Sequence, residues 1–367
     1  MRILYVINGF DPGGAEHGLL TLIQAGFFRG HELKVLGFCY GRGNLAERIS
    51  EAVGAQNLII AKDDQDLSLM GVLQGAGALR RLLRKWRPTT VVLSLKQANV
   101  VGRFLLRMYP SVHCISFEHI SRYRARRAEA VYAWLLRVLS GRVDEIWSDC
   151  QETLDATRRF FTPRERLENV VPLFRVTPDG VEKVIYKLSD RIEVSAAGRL
   201  VGRKNFDVII EAVRELNASG CPAHLTIYGD GPDLEKLRAL VSACALEDQV
   251  SLPGYNPKWA EEAAQSDIFV NASDTEGFCI VVAEAMAAGL PVIATDVGGI
   301  REYGQQNTNM VKFECGNVQE LREAIHMLSA DELLRERLGR KAKLGMEARF
   351  SDASIANVGI RILGLRS

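Results

Sequence analysis

The sequence lacks any stretch of the roughly 18–20 consecutive apolar residues that a membrane-spanning helix needs, so no bilayer-crossing helix is expected. Its first residues, MRILYVI, form too short a run for the apolar core of a secretory signal. No small-residue cleavage site accompanies them, and they read as a first buried strand. Cysteine is sparse. Seven residues, at 39, 114, 150, 221, 244, 279 and 315, are odd in number and never spaced C-x-x-C. That pattern argues against a disulfide framework and against a zinc site, and it leaves most thiols as small core residues of a cytosolic protein. Short-period repeats are absent. Net charge is nearly absent too, at +1, but residues 1–175 hold 25 Lys and Arg against 17 Asp and Glu, while the remainder holds 21 against 28. The basic half points to an anionic surface or substrate on the N-terminal side. No nucleic-acid partner is expected.

What is present is alternation. ILYVI, ELKVLGF, NLII, TVVLS, HCISF and DEIWS read as strands in the first half, and VSAAG, HLTIY, VSL, IFVNA, PVIAT and MVKF in the second. Between them, runs such as GALRRLLRKW and NFDVIIEAVREL carry apolar residues at helical spacing. Strands alternating with helices imply parallel sheets covered on both faces, an α/β class. At 367 residues the chain has room for two such domains. Pro172, Pro178 and Asp179-Gly180 break the periodicity, giving domains over 1–175 and 176–350. The amphipathic stretch 351–367 is expected to pack back on the first domain.

Four segments carry chemistry. Asn8 to Glu16 (NGFDPGGAE) follows the first strand and opens a helix, so its glycines either admit an anion to backbone N–H groups or form a plain strand–helix turn. It does not spell G-x-G-x-x-G, which weakens a dinucleotide reading. In Ala197 to Asn205 (AGRLVGRKN), Arg199 and Lys204 are placed to converge on a phosphate, with Asn205 as the expected N-cap; the alternative is a solvated basic loop. Tyr228 to Pro232 (YGDGP) either lets a ribose or base lie against Gly229 or is a structural turn. In EGFCIVVAEAMAAG, Gly289 and Pro291 stop a helix that runs roughly from Cys279 to Ala288. Glu276 then lies just before the helix and Glu284 inside it. Exposed first-turn amides suit an anion, and carboxylates suit sugar hydroxyls. One surface acid and one satisfied buried acid is the competing reading.

Taken together, GGAE, the FEH segment, AGRLVGRKN, YGDGP, the E-x7-E pair and TDVGGIRE make the chain resemble the family-4 retaining glycosyltransferases over nearly its whole length. The resemblance implies the GT-B fold: two Rossmann-like doubly wound domains facing a central cleft, the first binding acceptor and the second the nucleotide-sugar donor. It further implies that Arg199 and Lys204 neutralise the donor diphosphate, that Glu276 holds donor-sugar hydroxyls and that Glu284 binds the ribose. Backbone around Gly277, Phe278, Cys279, Ile280 and Val281 would contact sugar and phosphates, with Tyr255 near the base. Gly13 and Gly14 would close over the diphosphate, and His119 matches the family's catalytic-pocket histidine. Asn205 replaces a frequent glycine, Cys279 a frequent glycine or proline, and Pro172-Leu173-Phe174 the common Pro-Asn-Gly.

A UDP-sugar donor is favoured by this resemblance, with a GDP-sugar second and no metal or other cofactor. Asp64-Gln65-Asp66 matches a metal-binding D-x-D of another glycosyltransferase fold but sits in a polar run and is discounted. Residues 120–142 combine Arg122, Arg124, Arg126, Arg127, Arg137 and Arg142 with Tyr132, Trp134 and Leu135, a pattern that suits an anionic membrane surface and competes with a solvated helix. The resulting expectation is a cytoplasmic, peripherally membrane-associated transferase acting on a hydroxyl acceptor such as a lipid-linked glycan. A sugar-nucleotide epimerase of the same fold, a GDP-mannose-dependent mannosyltransferase and an inactive nucleotide-binding scaffold are the alternatives.

Overall fold

Every strand read from the sequence lies in one of two all-parallel sheets in the computed structural model, which describes residues 1–11, 13–119, 130–177, 180–188 and 190–364. The chain divides into two compact units, residues 1–175 with 352–367, and residues 176–351. In the first unit the strands are β1 (Arg2–Ile7), β2 (Glu32–Gly37), β3 (Leu58–Ile60), β4 (Thr90–Ser94), β5 (His113–Glu118), β6 (Glu145–Ser148) and β7 (Leu167–Val170), ordered β3-β2-β1-β4-β5-β6-β7. In the second they are β8 (Ile192–Ala197), β9 (Ala223–Tyr228), β10 (Val250–Gly254), β11 (Ile268–Asn271), β12 (Val292–Thr295) and β13 (Val311–Phe313), ordered β10-β9-β8-β11-β12-β13.

Each sheet is covered on both faces because its central strands are apolar at successive positions. In β1, Ile3, Tyr5 and Ile7 pack with Leu19, Ile49, Ile355 and Ile362 from three helices, while Leu4 and Val6 pack with Leu79, Leu83 and Leu106 on the other face. The terminal helix Asp352–Gly364 therefore belongs to the first unit, where the Asp352 carboxylate accepts two 2.9 Å hydrogen bonds from the Arg175 guanidinium. In the second unit, Val194 and Ala196 of β8 pack with Ile209, Val213, Leu321 and Ile325.

The strand order reverses between β1 and β4 in one unit and between β8 and β11 in the other. Loops leaving the carboxyl ends at such a reversal diverge to opposite faces, and the opening between them is where doubly wound sheets bind ligands. The sequence segments singled out for chemistry leave the carboxyl ends of strands at or next to these reversals. Asn8 to Glu16 follows β1, His119 follows β5, Ala197 to Asn205 spans the end of β8, and Ala272 to Cys279 follows β11.

Near His119 the backbone is anchored by Arg103, whose side chain is fully buried. It donates to the Leu136 carbonyl at 2.8 Å, Asn99 Oδ1 at 3.0 Å, Ser116 Oγ at 2.5 Å and Glu118 Oε1 at 2.7 Å. A guanidinium so deep is tolerated because its fork is filled by acceptors on several sides. The pair fixes the end of β5 and the helix Ala130–Val138 in one network.

Candidate active site

At the reversal in the second unit, two loops are tied together. Asn205 has φ +49°, a left-handed backbone that asparagine tolerates better than most residues. The sequence reading makes it an N-cap, but its side chain does not cap the helix Phe206–Ala218. Its Nδ2 instead donates to the Ala272 carbonyl at 3.0 Å, joining the loop after β8 to the loop after β11. The Asp274 N–H donates to the Arg203 carbonyl at 2.9 Å in the same sense.

Between these ties lies an ion pair. Lys204 Nζ donates to Glu276 Oε1 at 2.5 Å, and Ser273 Oγ donates to the same oxygen at 2.6 Å. Lys204 is 9% exposed and Glu276 6%. Burial alone raises the Glu276 carboxyl, but Lys204, the Ser273 hydroxyl and nearby Arg203 outweigh it and hold the group below the usual carboxylate range. Glu276 is therefore an ionised acceptor at neutral pH. Arg199 and Arg203 are both exposed and make no ion pair with any described residue. Arg203 thus adds a guanidinium beside a pair that is already neutral, and Arg199 stands in the same loop after β8, which favours an anion. Sequence reasoning missed Arg203 and Ser273, although both sit inside the quoted or adjoining motifs.

The turn from Glu276 into the helix Ile280–Ala287 is shaped by neighbouring backbone. A Cβ on Gly298 would stand 2.3 Å from the Gly277 carbonyl, and Gly299 N donates to that carbonyl at 2.7 Å. The TDVGG motif is thereby required by the EGF motif. Tyr303 Oη donates to the carbonyls of Phe278 and Cys279, at 3.0 Å each. Phe278 packs on Tyr303 and Phe350. Cys279 is buried with φ +63°, a backbone that suits the glycine but not the proline that the resemblance implies there, and burial drives its thiol well above the ordinary range. It packs rather than reacts. Ile280 and Val281, in the first helical turn, are half-buried.

Glu284 is not part of the Lys204 contact. It lies within the helix, pushed up to about 7 by burial, with a hydrogen bond from the Trp259 side chain opposing the shift. Gly229 is glycine for a structural reason: a Cβ there would be 1.9 Å from the Gly198 carbonyl. Tyr255, after β10, is 64% exposed. Because the strands run parallel, Gly198, Gly229, Tyr255 and Ala272 all emerge at one edge of the sheet.

The remaining candidates belong to the first unit. Gly13 precedes the helix Gly14–Gln24, and a Cβ on it would meet Glu16 Oε2 at 2.4 Å. His119 Nε2 lies 3.0 Å from Ser94 Oγ. Its Nδ1 is buried, 4.0 Å from Asp149 Oδ2, with no hydrogen bond among the described residues. Burial pushes its imidazole down to about 3. Arg122, Arg124, Arg126 and Arg127 lie outside the described residues. Trp134 and Arg137 are exposed on the helix Ala130–Val138, whereas Arg142 turns inward to the Leu106 carbonyl and Asp144. Arg142 is therefore a structural residue, not part of a membrane-facing stripe. Asp64 pairs with Lys62 at 2.5 Å and Asp66 with Arg42 at 2.7 Å, so both acids of the D-x-D run already have cation partners.

With this geometry in place, comparison with known proteins is informative. Residues 182–345 match the family described as "Glycosyl transferases group 1", and residues 13–173 match "Glycosyl transferase 4-like domain". The lipopolysaccharide core biosynthesis glycosyltransferase LpsE of Rhizobium meliloti (strain 1021) is 28% identical over 175 residues, 48% of this chain and 50% of LpsE. A GDP-mannose-dependent alpha-(1-6)-phosphatidylinositol monomannoside mannosyltransferase of Mycobacterium tuberculosis (strain ATCC 25618 / H37Rv) is 34% identical over 187 residues, 47% of this chain and 49% of that protein. The chain spans about half the length of the curated relatives it matches. Among solved structures, Anabaena Alr3699/HepE in complex with UDP-glucose superposes with a TM-score of 0.80 at 19% identity over 100% of both chains, a likeness of fold.

The His119 environment makes a prediction. The unfolded chain takes up a proton at this residue near 6.5, the folded chain only at about 3, so His119 favours the folded state above that window and its contribution is lost as pH falls through it. Heteronuclear NMR of the imidazole nitrogens should show a neutral ring from about pH 8 to about pH 5. A titration midpoint near that of a free histidine would contradict the buried placement.

Proposed function

The chain belongs to the glycosyl transferases group 1 family, family 4 of the GT-B glycosyltransferases, and from that premise we propose that it moves a sugar from a nucleotide-diphosphate donor to an acceptor hydroxyl with retention at the anomeric carbon. The observation that carries this reading is the buried Lys204–Glu276 pair at the β8–β11 reversal, rimmed by exposed Arg199 and Arg203. A leaving diphosphate gains charge as the glycosidic bond breaks. Fixed cations that need no reorganisation at that moment lower the barrier most. Glu276, ionised and held in place, accepts hydrogen bonds from donor-sugar hydroxyls, and Glu284 does so from the ribose. Cationic side chains take the electrostatic role that a metal has elsewhere. His119, neutral, serves by hydrogen bonding rather than as an acid. The acceptor attacks from the face the diphosphate leaves, without a covalent nucleophile.

UDP-sugar is the favoured donor, supported by the fold shared with HepE, a protein solved with UDP-glucose; the mannosyltransferase relative supports GDP-mannose as the second choice. The acceptor is proposed to be a lipid-linked saccharide bound by the first unit. Relatives named for lipopolysaccharide core and phosphatidylinositol monomannoside support it. So does the exposed stripe Val131, Trp134 and Val138, at helical spacing beside Arg137, which suits peripheral contact with an anionic membrane. No described helix is long and apolar enough to cross one.

Turnover, nucleotide binding and membrane binding each test this function. Arg199→Ala removes a cation that has no ion-pair partner among the described residues, so turnover should fall by roughly 10–100-fold with stability unchanged, while Lys204→Ala should cost about 100–1,000-fold and also destabilise the fold, because Glu276 is left buried without its cation. Product NMR should show retained anomeric configuration, and EDTA should leave turnover intact; near-normal activity in both variants would reject the assignment. UDP affinity should fall as pH drops through about 7, where Glu284 protonates and loses an acceptor, and Glu284→Gln should flatten that dependence. Tighter binding of GDP than UDP would reverse the donor order. In liposome sedimentation, anionic vesicles should retain more protein than neutral ones and Trp134→Ser should reduce the difference; equal recovery would remove the membrane surface from the scheme.

A further inference from the structure

A groove lies in the first unit, away from the residues of the candidate active site. Segments that enter β2 and β3 from their amino ends, together with Trp86 after the helix Leu69–Lys85, enclose a groove of about 450 Å³. Asn8 and His119 lie at the carboxyl ends of the same sheet. With strands of six residues, the two edges are about 20 Å apart, so the groove is not an extension of the candidate active site.

Its lining combines cations with an aromatic wall. Lys34 Nζ stands 5.5 Å from the centroid of the Trp86 ring, a cation held over an indole face. Arg29, exposed at the rim, makes no ion pair with any described residue, and neither does Lys34. His31 also lines the groove, and its imidazole carries at least one N–H that can donate. One acid, Glu32, opposes these groups and is exposed. Val53 adds an apolar surface beside Trp86. A planar guanidinium, a point-charge ammonium and an imidazole N–H are complementary to the oxygens of a phosphate. The volume falls within the range of small-molecule sites, of about 300–1,000 Å³.

We infer that this groove is a separate ligand site for a phosphorylated monosaccharide, with the phosphate on Arg29, Lys34 and His31 and the sugar ring against Trp86 and Val53. The phosphate half rests on these side chains alone; the choice of a sugar rests on the proposed transferase function. Isothermal titration of the full chain with glucose 1-phosphate, inorganic phosphate and glucose tests it. Glucose 1-phosphate binds, inorganic phosphate binds more weakly, and glucose gives no binding heat. Combining Arg29→Gln with Lys34→Gln, neither of them a buried residue, weakens glucose 1-phosphate binding about tenfold or more with an unchanged circular dichroism spectrum. Arg199→Ala, in the other unit, leaves that binding as it was. Absence of glucose 1-phosphate binding, or its loss in Arg199→Ala but not in the double variant, overturns the inference. Equal affinity for inorganic phosphate and glucose 1-phosphate overturns the sugar half. Because no nucleotide and no turnover enter this titration, its failure leaves the transferase reading standing, and failure of turnover leaves the phosphate half of this site standing.

Discussion

The ion pair between Lys204 and Glu276 is the constraint on which the second unit's site depends. Taking an ammonium and a carboxylate out of water is costly, and their attraction offsets the cost only when the geometry is good and further hydrogen bonds complete it. Ser273 supplies such a bond to the very oxygen that Lys204 contacts. The pair spans from the loop after β8 to the loop after β11, so it fixes the distance between two segments more than 70 residues apart in sequence. Asn205 to Ala272 and Asp274 to Arg203 reinforce the same closure. Backbone that would contact a ligand is therefore set before any ligand arrives.

A second buried pair, Arg103–Glu118, stands at the end of β5 in the first unit, and the contrast explains why only one of the two reads as a binding site. Arg103 is fully buried: Asn99, Ser116, Glu118 and the Leu136 carbonyl occupy the two ends of its fork, and Phe161 lies 4.7 Å from its guanidinium carbon. A guanidinium with no exposed surface is out of a substrate's reach and serves to hold the neighbouring backbone. Lys204 and Glu276 instead have Arg203 acting on the carboxylate, and neither Arg203 nor Arg199 of the same loop makes an ion pair with any described residue. An excess of positive charge beside a closed pair has no structural use in the unit itself and is stabilised by an arriving anion.

Periodicity made the strands legible because a buried parallel strand must be apolar at consecutive positions, and twelve of the thirteen were read from that signal. The exception, β7, is an edge strand with the sequence LENV; Leu167 is 57% exposed, and a strand needing only half a covering leaves little apolar trace. Acid and base positions in the second unit were legible through motif spacing, and the structure brings Lys204 and Glu276 into contact. Arg203 was not, since a residue whose value lies in a neighbour 70 positions away has no local signature, and Ser273, three positions before Glu276, was passed over although its partner is local. The capping role of Asn205 was misread for a related reason: a cap needs extended backbone and a side-chain oxygen that accepts from the helix, but only the fold reveals that Asn205 is left-handed and that its Nδ2 donates to the Ala272 carbonyl. Partnership with Trp259, which accompanies the elevated Glu284 carboxyl, was equally invisible.

Backbone strain follows the same map. Among the described residues, six that are not glycine have positive φ, and three of them, Leu95, Asn205 and Cys279, stand immediately before helices that leave β4, β8 and β11. Those strands flank the two points of strand-order reversal. A left-handed residue costs about 1–2 kcal/mol when it is not glycine, so three such residues at equivalent places demand compensation. Asn205 finds it in the bond to Ala272, and Cys279 in burial and in the Tyr303 hydrogen bond to its carbonyl. The chain must turn sharply there because the helix has to start directly above the sheet edge for its first amides to face the opening. Strain placed at these ends is thus a consequence of building an anion-receptive edge from parallel strands. It also accounts for the tolerance of asparagine and cysteine at positions where glycine would turn at lower cost.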